Sequence, residues 1–257
     1  MSEEVVIEQR DHIRIVRINR PEARNALNPA VIGGIGRGVE AADADPEVRA
    51  VVITGTGDRA FCAGMDLRGF AEGDRSGGDA EGADSYLRFL RGGIGKPVVG
   101  AANATAVAGG FELLLACDLV VASEHAQFGL PEVKRGLFPA GGGVLLGRRL
   151  PLAVALELGL TGDTIDATRA LSFGLVNRVV PHERVLDEAV ALAVRIAENG
   201  PLAVRATKRL MRDALDVSRD EMWERQAAAS AEVFGSEDAK EGARAFVEKR
   251  APNWTGR

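Results

Sequence analysis

Between Thr54 and Glu132, two glycine-bearing turns each follow a short, largely apolar run. Val48–Thr54 leads into Gly55-Thr56-Gly57-Asp58-Arg59-Ala60-Phe61-Cys62-Ala63-Gly64-Met65-Asp66-Leu67. Val98–Ala102 leads into Ala106-Val107-Ala108-Gly109-Gly110-Phe111-Glu112. Runs of this length bounded by glycine read as short buried strands. Glycine lets the backbone turn tightly or approach another segment closely. An apolar helical run, Phe111–Cys117, follows the second turn. Asp118 ends it, and Leu119–Ala122 is the next strand. A third glycine turn, Leu137-Phe138-Pro139-Ala140-Gly141-Gly142-Gly143, is expected to open a helix through Leu150. Strand, turn and helix thus recur about every forty to fifty residues without repeating sequence, and the expected class is α/β.

The flanking segments are simpler. Val5–Glu8 and Ile13–Ile18 alternate apolar and polar residues, a hairpin pattern. Asn28-Pro29 reads as an N-cap with proline at the first helical position, and the helix runs to about Ala42. It carries Gly33, Gly34, Gly36 and Gly38, which the sequence alone does not explain. Gly34-Ile35-Gly36-Arg37-Gly38-Val39 lacks the spacing and preceding strand of a dinucleotide fingerprint. Gly69–Asp84 is acidic and glycine-rich; it reads as a flexible surface loop, and a second reading makes it a mobile cover over the neighbouring site. A short helix begins at Tyr86. Beyond Pro151 the pattern is almost all helical, with a strand at Val176–Val180. The expected helices are Leu152–Leu160, Asp166–Phe173, Glu183–Glu198, Pro201–Val217, Ser218–Gly235 and Ser236–Lys249.

Composition excludes several function classes. Of 257 residues, 46% are hydrophobic and 27% charged, enough for a packed core. Net charge is −5 with no long basic run, which argues against nucleic acid as a partner. No apolar run is long enough to span a membrane. No export signal is visible at the start, so the expected location is cytoplasmic, with Cys62 and Cys117 as free thiols. His12, His125 and His182 show no metal spacing, and no metal is expected. Ser123 and His125 are close in sequence but lack a nucleophile turn.

The chemistry centres on two acids and two amides. Glu112 lies in the first turn of an apolar helix, where the dipole favours a carboxylate and apolar neighbours oppose it. Glu132 follows Pro131, which fixes the approach of the chain. The candidate N–H donors are Met65 and Gly109, since amides at helix starts are ready anion sites. Two donors aimed at one oxygen make an oxyanion hole. With one or two carboxylates, such a hole suits proton transfer beside a carbonyl. Cys62 is expected to pack beneath the first turn.

These motifs together resemble the enoyl-CoA hydratase/isomerase (crotonase) superfamily. Asn19-Arg20-Pro21 with Asn25-Ala26-Leu27 is similar to its opening signature. Ala60-Phe61-Cys62-Ala63-Gly64-Met65-Asp66-Leu67 is similar to its first oxyanion segment. Lys96-Pro97 with Gly109-Gly110-Phe111-Glu112 resembles the second, and Gln127-Phe128-Gly129-Leu130-Pro131-Glu132 carries the second acid. Leu160-Thr161-Gly162, Ala170, Gly174-Leu175-Val176 and Lys240–Arg250 match later marks.

The resemblance implies a ClpP/crotonase-like spiral of repeated ββα units over residues 1–200. It also implies a helical trimerisation region over residues 201–257, in a homotrimer or a dimer of trimers. It implies an acyl-CoA thioester as ligand, with coenzyme A part of the substrate and no separate cofactor. The thioester carbonyl would sit on the Met65 and Gly109 amides. Glu112 would deprotonate water and Glu132 would protonate the α-carbon, a syn hydration of a 2-enoyl-CoA. Ala63, Asp66, Leu67 and Arg68 would line the thioester and pantetheine. Phe246 and Lys249 would reach coenzyme A, often in a neighbouring subunit, and Arg24 its phosphates.

Two departures stand out. Ala108 replaces a glycine that many relatives carry, and the third turn reads Pro-Ala-Gly-Gly-Gly. That turn, with Leu130-Pro131-Glu132-Val133-Lys134, looks closer to the carnitinyl-CoA dehydratase (crotonobetainyl-CoA hydratase) branch. Other readings are a Δ3,Δ2-enoyl-CoA isomerase, which needs one acid, and a non-enzymatic RNA- or protein-binding relative.

Overall fold

The computed structural model describes residues 3–67, 71 and 80–257. The expected hairpin forms: β1 (Val5–Arg10) pairs antiparallel with β2 (Ile13–Ile18), Val5 opposite Ile18. Four further strands add in parallel. They are β3 (Ala50–Gly55), β4 (Val98–Ala102), β6 (Leu119–Ser123) and β9 (Arg178–Val180), in the order β1-β2-β3-β4-β6-β9. β3 and β4 are buried along their whole length, as strands covered on both faces must be.

Three short strands form a second sheet: β5 (Ala106–Val107), β7 (Gln127–Gly129) and β8 (Thr164–Asp166). Cys62 bridges to Ala106 and extends this sheet toward the preceding turn of the chain. After the first hairpin, whose two strands both join the large sheet, successive units send one strand into the large sheet and one into the small, then a helix or helical turn back across. That is the expected ββα repeat. The second strand of each unit spans only two or three residues, too short to show as a period in sequence.

Alternate residues of the large sheet face two cores. Ile15, Ala50, Val52, Val99 and Val121 pack against α6 (Val185–Ala197) through Val185, Ala189, Ala193 and Ala197, one helix stripe at intervals of four. The opposite face packs on α1 (Pro29–Ala44), α2 (Ala80–Leu90), α3 (Gly109–Ala116) and α4 (Leu152–Thr161). α5 (Ala167–Ser172) follows β8.

The unexplained α1 glycines now have a reason. A Cβ on Gly36 would lie 1.9 Å from the Gly82 carbonyl oxygen of α2, so the two helices meet backbone to backbone. Gly34 and Gly38 leave room for Val5 and Ile7 of the hairpin. Asn28 caps α1 as expected, its Oδ1 accepting from the Val31 N–H at 2.8 Å.

Two expectations are corrected. α2 begins at Ala80, so Ala80–Asp84 of the expected loop is helical. Tyr86 and Phe89 bury against the core, and Glu81 suits the first turn. The remainder of that loop, Ala71 apart, lies outside the described residues. The third glycine turn opens a short 3-10 helix, Gly143–Arg148, and Pro151 separates it from α4.

The C-terminal helices are α7 (Pro201–Asp213), α8 (Arg219–Phe234) and α9 (Glu237–Glu248). α7 is tied to the core by Lys208 Nζ, which donates to the Lys96 carbonyl at 2.7 Å and pairs with Asp118 at 2.7 Å. α8 and α9 bury little within the chain: Phe234 is 79% exposed and Phe246 is 85% exposed. No helix of the described residues is long and apolar enough to cross a membrane.

Candidate active site

Asn25 sets the first turn. It is fully buried and its amide bonds in three directions. Oδ1 accepts from the Arg20 N–H at 3.0 Å, while Nδ2 donates to the carbonyls of Thr56 and Ala60 at 3.0 and 2.8 Å. Leu27 then bridges the corner: its N–H donates to the Gly64 carbonyl at 2.8 Å and its carbonyl accepts from Asp66 at 3.0 Å. Met65 is held between these two bonds. Gly64 has φ +84°, which an L side chain would strain.

The second turn lies directly against the first. The Phe61 N–H donates to the Thr105 carbonyl and the Val107 N–H to the Cys62 carbonyl. A Cβ on Gly64 would lie 2.6 Å from the Ala108 Cβ and 3.1 Å from the Gly109 N. Ala108 sits at φ +52°, ψ −132°, a costly conformation for a residue with a Cβ. It turns the chain so that Gly109 opens α3 with its N–H pointing out of the helix start. Among the described residues, neither the Met65 nor the Gly109 N–H donates to a protein acceptor. Two unspent amides therefore flank one corner.

Glu112 is 6% exposed, one turn into α3. Its Oε1 accepts from the Gly141 and Gly143 N–H groups at 2.7 and 2.8 Å. Burial pushes its carboxyl above the ordinary range, and these two bonds pull partly back. Sequence reasoning missed Gly141 and Gly143 as site residues, although their cluster was visible. A Cβ on Gly141 would lie 2.5 Å from Glu112 Oε2. Gly141→Ala is therefore expected to displace the carboxylate and lower kcat by roughly 10²-fold, the usual effect of about 1 Å of misplacement. Steady-state kinetics beside a melting curve checks this, since an unfolded variant would lose both.

Glu132 sits in a 3-10 turn, Pro131–Arg135, directly after β7. Its Oε2 is buried with no hydrogen-bond partner among the described residues. Burial raises its carboxyl, and the charge on Glu112 raises it further, which places the two acids within electrostatic reach. An unpartnered buried carboxylate oxygen is costly unless a ligand or proton meets it.

Glu112 and Gly141 also line a cavity of about 570 Å³, walled by Leu115, Leu145, Leu146 and Met211. Met65, Gly109 and Glu132 do not line it, so Glu112 is the acid that borders it.

The other sequence candidates are placed unevenly. Ala63 joins the corner through its N–H, which donates to the Arg24 carbonyl at 3.1 Å. That brings exposed Arg24 beside the first turn. Met65 and Leu67 present exposed side chains. Asp66 pairs with Arg20 at 3.3 Å. Arg68 lies outside the described residues. Phe246 and Lys249 are at the exposed end of α9, with Lys249 at φ +54° as its C-cap. Cys62 is buried, its thiol pushed up to about 12 by burial, so it packs rather than reacts. Iodoacetamide is expected to leave it unmodified until the protein is denatured, as mass spectrometry of its peptide would show. Ser123 and His125 make no catalytic pair: the Ser123 hydroxyl accepts from the His125 backbone N–H, and the ring is exposed beside Glu124. Among the described residues no group of metal-ligating side chains assembles.

Two apposed amides, an acid held by glycine amides and a second acid at the end of a short strand thus lie on a ββα spiral. The family model for enoyl-CoA hydratase/isomerase matches residues 8–257. Enoyl-CoA hydratase EchA19 of Mycobacterium tuberculosis is 40% identical over 99% of this chain and 97% of its own length. Carnitinyl-CoA dehydratase of Proteus mirabilis is 39% identical over the full length of both. A crystal structure of an enoyl-CoA hydratase from Mycobacterium tuberculosis H37Rv superposes with a TM-score of 0.93 at 46% identity, covering both chains fully. The chain belongs to the enoyl-CoA hydratase/isomerase family, and its fold is the crotonase fold.

Proposed function

We propose that this protein is an enoyl-CoA hydratase, adding water across the 2,3 double bond of a 2-enoyl-CoA. The observation that carries the reading is the pair of acids in unlike settings beside two unspent amides. The thioester oxygen accepts from the Met65 and Gly109 N–H groups, which stabilise it as charge moves onto it. Such donors are worth roughly 3 kcal/mol each where measured. Glu112, its Oε1 occupied by two amides, keeps Oε2 for water and takes its proton as the oxygen bonds to C3. Glu132 gives a proton to C2 from the same face. The hydroxyl and hydrogen therefore arrive syn, the double bond is consumed, and the two carboxyls exchange protons before the next turnover.

The exposed apolar side chains of α8 and α9 support assembly as a homotrimer or a dimer of trimers. In that assembly Phe246 and Lys249 reach coenzyme A, with Arg24 at its phosphates. The reading needs no cofactor beyond the substrate's own coenzyme A, and it places the protein in the cytoplasm. The test is loss of enoyl absorbance on incubation with crotonyl-CoA and longer 2-enoyl-CoAs. No water addition to any of them would sink the reading. If Glu112→Ala instead kept most activity on a 3-enoyl-CoA, a one-acid isomerase would replace it.

A further inference from the structure

The cavity that Glu112 lines bears on which acyl group this site takes, and the argument rests on the hydratase reading above. An ideal Cβ on Gly109 would stand 3.9 Å from Glu112 Oε2, so the amide corner and this carboxylate border the same space. A thioester whose carbonyl rests on Gly109 sets C2 and C3 beside Glu112. Its distal carbons then run past Glu112, which also lines the cavity. Its size falls within the usual range for small-molecule sites, and its leucine and methionine walls suit methylenes.

The polar part of the lining is not neutral. Asp118 is held by Lys208 at 2.7 Å and by Arg212 at 2.8 Å. Asp216 pairs with Arg148, and Asp213 pairs with Arg225. Each carboxylate of the lining other than Glu112 is therefore engaged. Arg91 and Arg149 have no carboxylate partner among the described residues. Arg149 Nη1 donates to the Leu115 carbonyl at 2.9 Å, which fixes the side chain against the wall. A guanidinium carries five N–H donors, so most of them remain for a ligand.

We propose that this cavity receives the distal end of the acyl chain and selects a 2-enoyl-CoA ending in a carboxylate, held by Arg149 with Arg91 adding positive charge. Arginine suits this because its planar fork meets a carboxylate with two parallel bonds. The same charge repels a trimethylammonium group. The carnitinyl type of acyl chain, to which full-length relatives at 39% identity owe their name, is therefore disfavoured.

The experiment compares kcat/KM for hex-2-enoyl-CoA and oct-2-enoyl-CoA with the same chains ending in carboxylate, and for crotonobetainyl-CoA. It is run on the wild type, Arg149→Met and Arg149→Lys. The wild type is expected to favour a carboxylate-ended chain over its methyl-ended match by about 10-fold or more, the scale of a charge-assisted pair. Crotonobetainyl-CoA should be the poorest substrate. Arg149→Met should bring the ratio near one, while Arg149→Lys keeps part of it. A wild-type ratio at or below one for both lengths overturns the proposal, as does a ratio that Arg149→Met leaves unchanged. If no thioester is hydrated, the hydratase reading fails separately. Calorimetric binding of adipoyl-CoA against hexanoyl-CoA, to wild type and Arg149→Met, then decides the subsite without turnover.

Discussion

Glu112→Gln is expected to lower kcat for hydration by about 10²–10⁴-fold, the span of a lost general base, while leaving the folded protein at least as stable. The stability half follows from how the carboxylate is held. Glutamine keeps an oxygen that can accept from Gly141 and Gly143, so both bonds survive. What disappears is a buried charge whose carboxyl lies above the ordinary value of 4.5, chiefly through burial. A carboxyl raised in the folded state binds its proton more tightly there than in the unfolded chain. Its contribution to stability is therefore greatest at low pH and is lost as pH rises through the folded value. The variant should melt higher than wild type at pH 7, and the gap should close as pH falls toward 4.5. Thermal melts across that window, beside crotonyl-CoA kinetics, check both halves. A variant that melts lower at pH 7 would show that the ionised carboxylate holds the third turn in place.

Glu132→Gln is expected to cost a similar factor in kcat, with a different companion signature. Its Oε2 has no partner among the described residues, so the substitution breaks no hydrogen bond at that oxygen. Binding of a saturated acyl-CoA should survive, since in the proposed reaction this acid acts in the proton step rather than in holding the thioester. The two acids are also coupled, because the Glu112 charge adds to what burial does to Glu132. In Glu112→Gln, the Glu132 carboxyl should titrate lower than in wild type. Difference infrared spectroscopy of the carboxylate band reads that shift. No movement would mean that the two carboxyls are electrostatically isolated, and the paired-acid mechanism would lose its support.

Much of the frame was legible because it depends on neighbours in sequence. Asn28-Pro29 capped α1 as expected, since a cap needs only the amide three residues on. β3, β4 and β6 fell within a residue or two of their apolar runs. The pairing of the first two glycine turns also held, with Gly64 and Gly109 packed together. Other features were not legible. The Gly36 contact with Gly82 joins helices from different turns of the spiral. The start of α2 was hidden by an acidic, glycine-rich composition that its buried Tyr86 and Phe89 override. The third glycine turn looked like the start of a longer helix, and became a carboxylate cradle instead.

The sequence by itself determined which chemical groups this protein owns: two acids, two candidate donor amides in glycine turns and the strands that carry them. Those follow from local periodicity, capping and glycine, which act over a few residues. Only the tertiary structure decided what those groups became. Glu112 accepts its hydrogen bonds, and takes its orientation, from amides 29 and 31 residues away. Among the described residues, Glu132 ends with a buried oxygen and no partner, and Arg149 with a cavity wall and no carboxylate. Burial and long-range hydrogen bonds set the charge state of a side chain, and neither exists until the chain has folded.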